Sequence, residues 1–298
     1  MRVLLAIDGS PFSGHALDLV AGLRWPAGNT IRLLTVVPIE IGWGATGAPN
    51  SDAERAATEI LEHGQKILAP SQASVELSTS RGRPASMILR EARLFGPDLI
   101  VVGSRGHGPI ASMILGSVST EVLDRSRCPV LVVRRPTVGR VIIGVDGSPS
   151  AARIPGILAG WEILYGREAI VTHVILPATN VTELPLPVGV LIESRDWRTD
   201  LAPRAERLTR TTVRRLREAG VAARADIRVG DPANELIKAA REWEADLIVT
   251  GSRGHSGLAS VMLGSVARNV VLHAECSTLV LRRRTPASTA APLTGARS

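Results

Sequence analysis

The chain has 298 residues, 45% of them hydrophobic and only 3% aromatic, a length suited to two domains of about 150 residues whose cores Val, Leu, Ile and Ala must build. Its net charge of +7 comes almost wholly from arginine, Lys66 and Lys238 being the lysines, and these arginines are scattered or paired with acids, so a nucleic-acid partner is not expected. No apolar run is long enough to span a membrane, the N-terminal run is too short for a signal peptide, and two cysteines, Cys128 and Cys276, make neither a disulfide framework nor a zinc cluster; a cytoplasmic protein is expected.

Val3–Ile7 is a short apolar run, as a buried parallel strand should be, and it ends in Asp8-Gly-Ser-Pro11. Ser10 is a good N-cap and Pro11 a good first helical residue, so a helix follows to about Leu23. Ile31–Val37 reads as the second strand, Ile39–Asn50 as an irregular glycine-rich segment, and Ser51–Leu68 as a helix with Asp52 and Glu54 in its first turn, where the helix dipole prefers acids. The spacing then predicts a strand over Ser74–Ser80, a helix from Pro84 to about Phe95, a strand over Leu99–Val102, a helix over Ser117–Arg125 and a last strand, Val130–Val133.

After a linker at Pro136–Gly139 the plan restarts. Val141–Val145 ends in Asp146-Gly-Ser-Pro149; Glu168–Ile175, Ala222–Val229, Leu247–Thr250 and Thr278–Leu281 are further strands. Helices are expected from about Thr199 to Ala219, from Pro232 onward and up to about His273, and Ala178–Trp197 is a long loop. The chain is thus an internal duplication, with one domain over 1–136, a second over 139–284 and a mobile tail over 285–298. Alternating strands and helices imply a doubly wound α/β domain, a parallel sheet with helices on both faces. Such sheets bind ligands beyond the carboxyl ends of their strands, where Asp8 and Gly103 both fall.

Gly9-Ser-Pro-Phe-Ser-Gly14 begins like a P-loop, but His15 and Ala16 stand where Lys and Ser or Thr are needed, so that reading fails. The motif that repeats intact is Gly103-x-x-Gly106, nine residues, then Gly116-Ser117, with its twin Gly251-x-x-Gly254, nine residues, then Gly264-Ser265. In each copy a strand enters a glycine loop that ends at a helix start. Helix N-terminal N–H groups lack partners and carry partial positive charge, which suits a phosphate. On this reading Gly103 and Gly251 turn the chain, Gly106 and Gly254 let loop amides face the ligand, and Gly116 and Gly264 leave room for phosphate. Ser117 and Ser265 add a hydroxyl or serve as caps. Arg105, His107, Arg253 and His255 would add positive charge.

The pattern resembles the universal stress proteins in their tandem form, and the G-x-x-G-x9-G-S spacing resembles the ATP-binding branch of that family. The resemblance implies five-stranded parallel sheets in the order 3-2-1-4-5. It also implies Asp8 and Asp146 on the nucleoside, Val36 and Val174 framing adenine, and Val118 and Val266 with the glycine loops on ribose and phosphates. Ala6, Gly144, Ser104 and Ser252 complete the implied sites. ATP, with or without Mg2+, is the expected ligand, one per domain, in a regulatory binder acting in stress response; a slow ATPase or a cyclic-AMP binder using the same pockets is the alternative. The family further implies that Val130–Val133 and Thr278–Leu281 pair at an edge, and that the chain forms a homodimer.

Overall fold

The computed structural model describes residues 1–25, 27–39, 51–71, 73–106, 115–161, 164–176, 197–252 and 263–282. The predicted loop Ala178–Trp197, except Trp197 itself, which falls in a helix, the tail over 285–298 and most of the irregular segment after Ile39 lie outside them. The first half runs β1 (Arg2–Ala6), α1 (Pro11–Gly22), β2 (Thr30–Val37), α2 (Ser51–Leu68), β3 (Ser74–Arg81), α3 (Pro84–Phe95), β4 (Leu99–Gly103), α4 (Ser117–Arg125) and β5 (Val130–Val133). The second runs β6 (Arg140–Gly144), α5 (Ile154–Gly160), β7 (Glu168–Ile175), α6 (Trp197–Glu218), β8 (Ala222–Val229), α7 (Pro232–Glu242), β9 (Leu247–Gly251), α8 (Ser265–His273) and β10 (Ser277–Leu281).

Each half keeps the strand order 3-2-1-4-5, with every pair inside a half parallel. The two halves do not form separate sheets. They fuse into one ten-stranded sheet, β3-β2-β1-β4-β5-β10-β9-β6-β7-β8, through an antiparallel β5–β10 pair that sets Leu131 opposite Leu279 and Val132 opposite Thr278. The expected edge pairing is therefore made within the chain. Its cause is physical: β5 and β10 are buried along their whole length, and an apolar edge with unmet N–H and C=O groups is covered when two such edges meet.

Helices α1, α2, α5 and α6 cover one face of the sheet, and α3, α4, α7 and α8 the other. The core runs through the seam on both faces. Leu131, Val133, Leu279 and Leu281 join it on the first, while Val122 and Leu123 meet Ala267 and Val271 on the second. Two arginines cross the seam in matching fashion. Arg134 donates from Nη2 to Val271 O at 2.6 Å, near the end of α8, and Arg282 donates to Leu123 O near the end of α4. Each places a cation where a helix leaves carbonyls unmet. Burial pulls the Arg134 guanidinium down to about 10, still charged at neutral pH. Arg268 adds a forked contact to both carboxylate oxygens of Asp124, each at 2.7 Å. Cys128 and Cys276 are free and buried, the small core residues their positions suggest.

Candidate functional site

The site begins where β1 ends. Gly9 takes the left-handed conformation (φ 79°), which glycine adopts without steric cost. The turn brings Ser10 N–H and Ser10 Oγ onto Asp8 Oδ1 at 3.0 and 2.5 Å. Ser10 Oγ in turn accepts from Ser13 N at 3.3 Å and caps α1. The second half repeats the turn: Gly147 has φ 80°, and Ser148 N donates to Asp146 Oδ1 at 2.9 Å.

The glycine loop leaves the neighbouring strand, β4. Gly103 does not turn the chain by an unusual φ, as the motif suggested; it ends the strand, and its role is close packing. A Cβ there would meet Phe12 C and O at 2.8 Å, so a side chain would push α1 off the strand. Gly106 likewise answers to proximity, since a Cβ would lie 2.4 Å from Asp8 Oδ2. The loop backbone thus lies directly against the carboxylate that closes β1. At Gly116 a Cβ would press on Arg105 Cα and Ser104 O at 3.3 Å, and Gly116 N donates to that same Ser104 O at 2.8 Å. Gly116, not Ser117, is the N-cap of α4, and being glycine it offers no side chain to the first N–H groups of the helix. Gly264 caps α8 in the same way, with its N–H on Ser252 O at 2.9 Å.

These elements enclose a cleft of about 730 Å³ in the first half. Ala6, Asp8, Val36, Gly103, Arg105, Gly106, Gly116, Ser117 and Val118 all line it, so residues more than a hundred positions apart meet as the motif reading required. Arg105 stacks over the Phe12 ring, 4.2 Å from its centroid. Ser104 is a correction: it is wholly buried and forms no part of the cleft wall. Ser252 is buried in the same manner. His107, Arg253, Gly254 and His255 lie outside the described residues.

Sequence reasoning missed three contributions. Thr35 lines the cleft and donates from Oγ1 to Ile7 O at 3.1 Å. Ser119 donates from Oγ to Gly103 O at 2.7 Å, locking the start of α4 to the end of β4. Helix α2 closes one side with Ala53, Ala56, Ala57 and Ile60. Small residues spaced three or four apart on a helix were the available signal, and alone they point only to packing. The cleft has two chemical ends. Small apolar side chains of α2 and β2 make one, fit for a flat ring; a carboxylate, a guanidinium and an uncapped helix start make the other, fit for sugar hydroxyls and an anion.

In the second half Gly144, Asp146, Val174, Gly251, Gly264, Ser265 and Val266 occupy the matching strand ends and helix start. Gly144 is explained by its neighbour: a Cβ would meet Leu236 Cδ1 at 3.0 Å. The wall around them has changed. Thr172 replaces Leu34 and donates to Asp226 Oδ2 at 3.3 Å, and Ala267 replaces Ser119.

Comparison with known proteins agrees with this architecture. A model of the universal stress protein family matches residues 1–134 and again 137–282. A universal stress protein of Mycobacterium tuberculosis is 27% identical over 314 aligned positions, covering 95% of both chains. A universal stress protein of Bacillus subtilis is 36% identical over 145 positions, which span 45% of this chain and 98% of its own. The crystal structure of a universal stress protein from Archaeoglobus fulgidus superposes with a TM-score of 0.64 at 22% identity, over 95% of this chain and 98% of that one, a likeness of fold.

Proposed function

The chain belongs to the universal stress protein family, and from that premise we propose that it is a regulatory binder of adenine nucleotides, ATP foremost, with one site in each half. The observation that carries the reading is the first-half cleft itself. There a glycine-capped helix start, a loop pressed against Asp8 and an apolar slot under α2 converge. The base would lie in the slot beside Val36, the ribose near Asp8, and the phosphates at Gly106, Gly116 and the first N–H groups of α4. The residues fit such a ligand, because Gly103, Gly106 and Gly116 let the loop and helix start close on α1, Asp8 and each other, and all three line the cleft. Among the described residues no cluster of three or more His, Cys, Asp or Glu side chains is built to hold a metal ion. Mg2+ would therefore arrive with the phosphates.

The boundaries 1–136 and 139–284, a cytoplasmic location and a homodimer belong to the same proposal. Among the described residues no helix is long and apolar enough to cross a membrane. Mass spectrometry of small molecules released from freshly purified protein tests the reading, together with melting curves in ATP, ADP, AMP and cyclic AMP. An adenine nucleotide in the released fraction and a raised melting midpoint are expected. Neither carryover nor any shift with any of the four would overturn it. A larger shift with cyclic AMP, or steady phosphate release from ATP, would move the assignment to the alternative ligand or to a slow ATPase.

A further inference from the structure

Resting on the nucleotide reading, we infer that the two clefts are unequal: the first takes an adenine nucleotide at lower concentration, and Leu201, Arg204 and His173 hold the second back. Strand register supplies the correspondence. Arg2 stands beside Thr30 and Arg140 beside Glu168, so Thr35 and His173, five residues further on, occupy one position of the fold. Both tie to the same point, the carbonyl that follows the first strand of their half. Thr35 Oγ1 donates to Ile7 O at 3.1 Å, and His173 Nδ1 donates to Val145 O at 2.7 Å. The threonine side chain ends at that bond. The imidazole continues beyond it with the rest of its ring, on the sheet face that α6 covers.

Helix register gives the other two residues. Leu68 and Leu216, both fully buried, stand six residues before the starts of β3 and β8, and the buried Ala57 and Ala205 stand eleven residues before those leucines. Ala53 therefore matches Leu201, and Ala56 matches Arg204. In the first half both alanines line the cleft and leave it open. Their counterparts carry long side chains from the same helix face; Leu201 is 40% exposed, so it is not sunk into the core. A flat base must slide between helix and sheet. Side chains that end at Cβ leave that gap free, whereas leucine, arginine and imidazole at the matching positions carry bulk past Cβ that a base would have to displace. The glycine-capped helix start, with its N–H on the serine carbonyl after the strand, is the same in both halves, so these three positions at the base end carry the inferred difference.

Isothermal titration of the full chain with ATP tests this. A two-step isotherm is expected, the first equivalent about tenfold tighter than the second or more. The triple variant H173T/L201A/R204A is expected to bring the second step level with the first, and A53L/A56R to remove the tight step and leave the weak one. Coincident melting curves without ligand keep loss of fold out of the comparison, and if a variant does not fold the wild-type isotherm decides. Two equal sites in the wild type would overturn the inference while leaving the nucleotide reading intact, as would a triple variant whose second step stays weak. No heat from the wild type would bring down the nucleotide reading, and this inference with it.

Discussion

The starts of α4 and α8 kept one geometry through the duplication, while the starts of α1 and α5 did not. Gly116 and Gly264 cap their helices with φ/ψ of −73°/154° and −65°/153°, and each makes the same hydrogen bond to the serine that follows its strand. Both α1 and α5 follow an Asp-Gly-Ser-Pro turn. Yet α1 is a continuous helix of 12 residues, whereas α5 has seven and is preceded by a 3-10 turn at Ala151–Arg153. Pro155 explains the break: it supplies no N–H and clashes with the preceding turn of any helix begun at Pro149, so the α-helix restarts around it. A shared entry turn does not secure the helix behind it. The glycine cap of the fourth helix of each half was retained, while the entry of the first helix diverged.

Substitutions at the glycines break this comparison most directly. Gly103→Val is expected to cost about 3 kcal/mol in urea unfolding, because the new side chain meets the Phe12 backbone, which cannot yield without moving α1. Gly144→Ala is tight against the end of the Leu236 side chain, which can yield, and in ordinary contact with Val249 O at 3.6 Å, so it should cost under about 1 kcal/mol. Equal costs would show that the α1 contact is not what holds Gly103. Next in size, Gly116→Ala presses on Arg105 and Ser104 at 3.3 Å and is expected to cost about 2 kcal/mol and to abolish ATP-induced stabilisation of the first site. Ligand-dependent melting of this variant reads both effects.

Ser119→Ala removes one buried hydrogen bond and leaves Gly103 O without it, so a loss of about 1 kcal/mol is expected. The second half already carries alanine there, at Ala267, and Ala267→Ser should change stability by less. The smallest effect concerns the matched cysteines. Burial pushes both thiols up, Cys276 to about 11. The folded protein should therefore resist alkylation at pH 8, and reactivity should rise only as pH climbs past the ordinary thiol range, while the unfolded chain reacts at once. Rapid labelling of the native protein at pH 8 would contradict the burial.

Much of this was legible beforehand. Val3–Ile7, Leu99–Val102 and their counterparts read as buried strands because a sheet covered on both faces demands apolar residues at every position. The glycine spacing read as a cradle because a backbone that must approach another backbone excludes Cβ. Where a helix end was predicted it agrees within one or two residues, α6 being expected from Thr199 and found from Trp197, whereas α5 was not among the predicted helices. Other features carried no mark in the chain. Gly103 looked like a turn and proved to be a packing contact, because Phe12 lies 91 positions away and nothing local names it. Thr35 and Ser119 are ordinary residues until the carbonyls they reach are known.

The amino-acid order by itself determined two repeated doubly wound halves, the turn after each first strand and the pair of helix starts at Gly-Ser, because hydrophobic period and the absence of Cβ act within a few residues. Only the tertiary structure decided that the halves share one ten-stranded sheet, that arginines close each other's helices across the seam, and that Ala53 and Ala56 of α2 line the first-half cleft. Those outcomes depend on which edges and side chains meet from distant parts of the chain. A strand edge or an alanine has no partner until the fold supplies one.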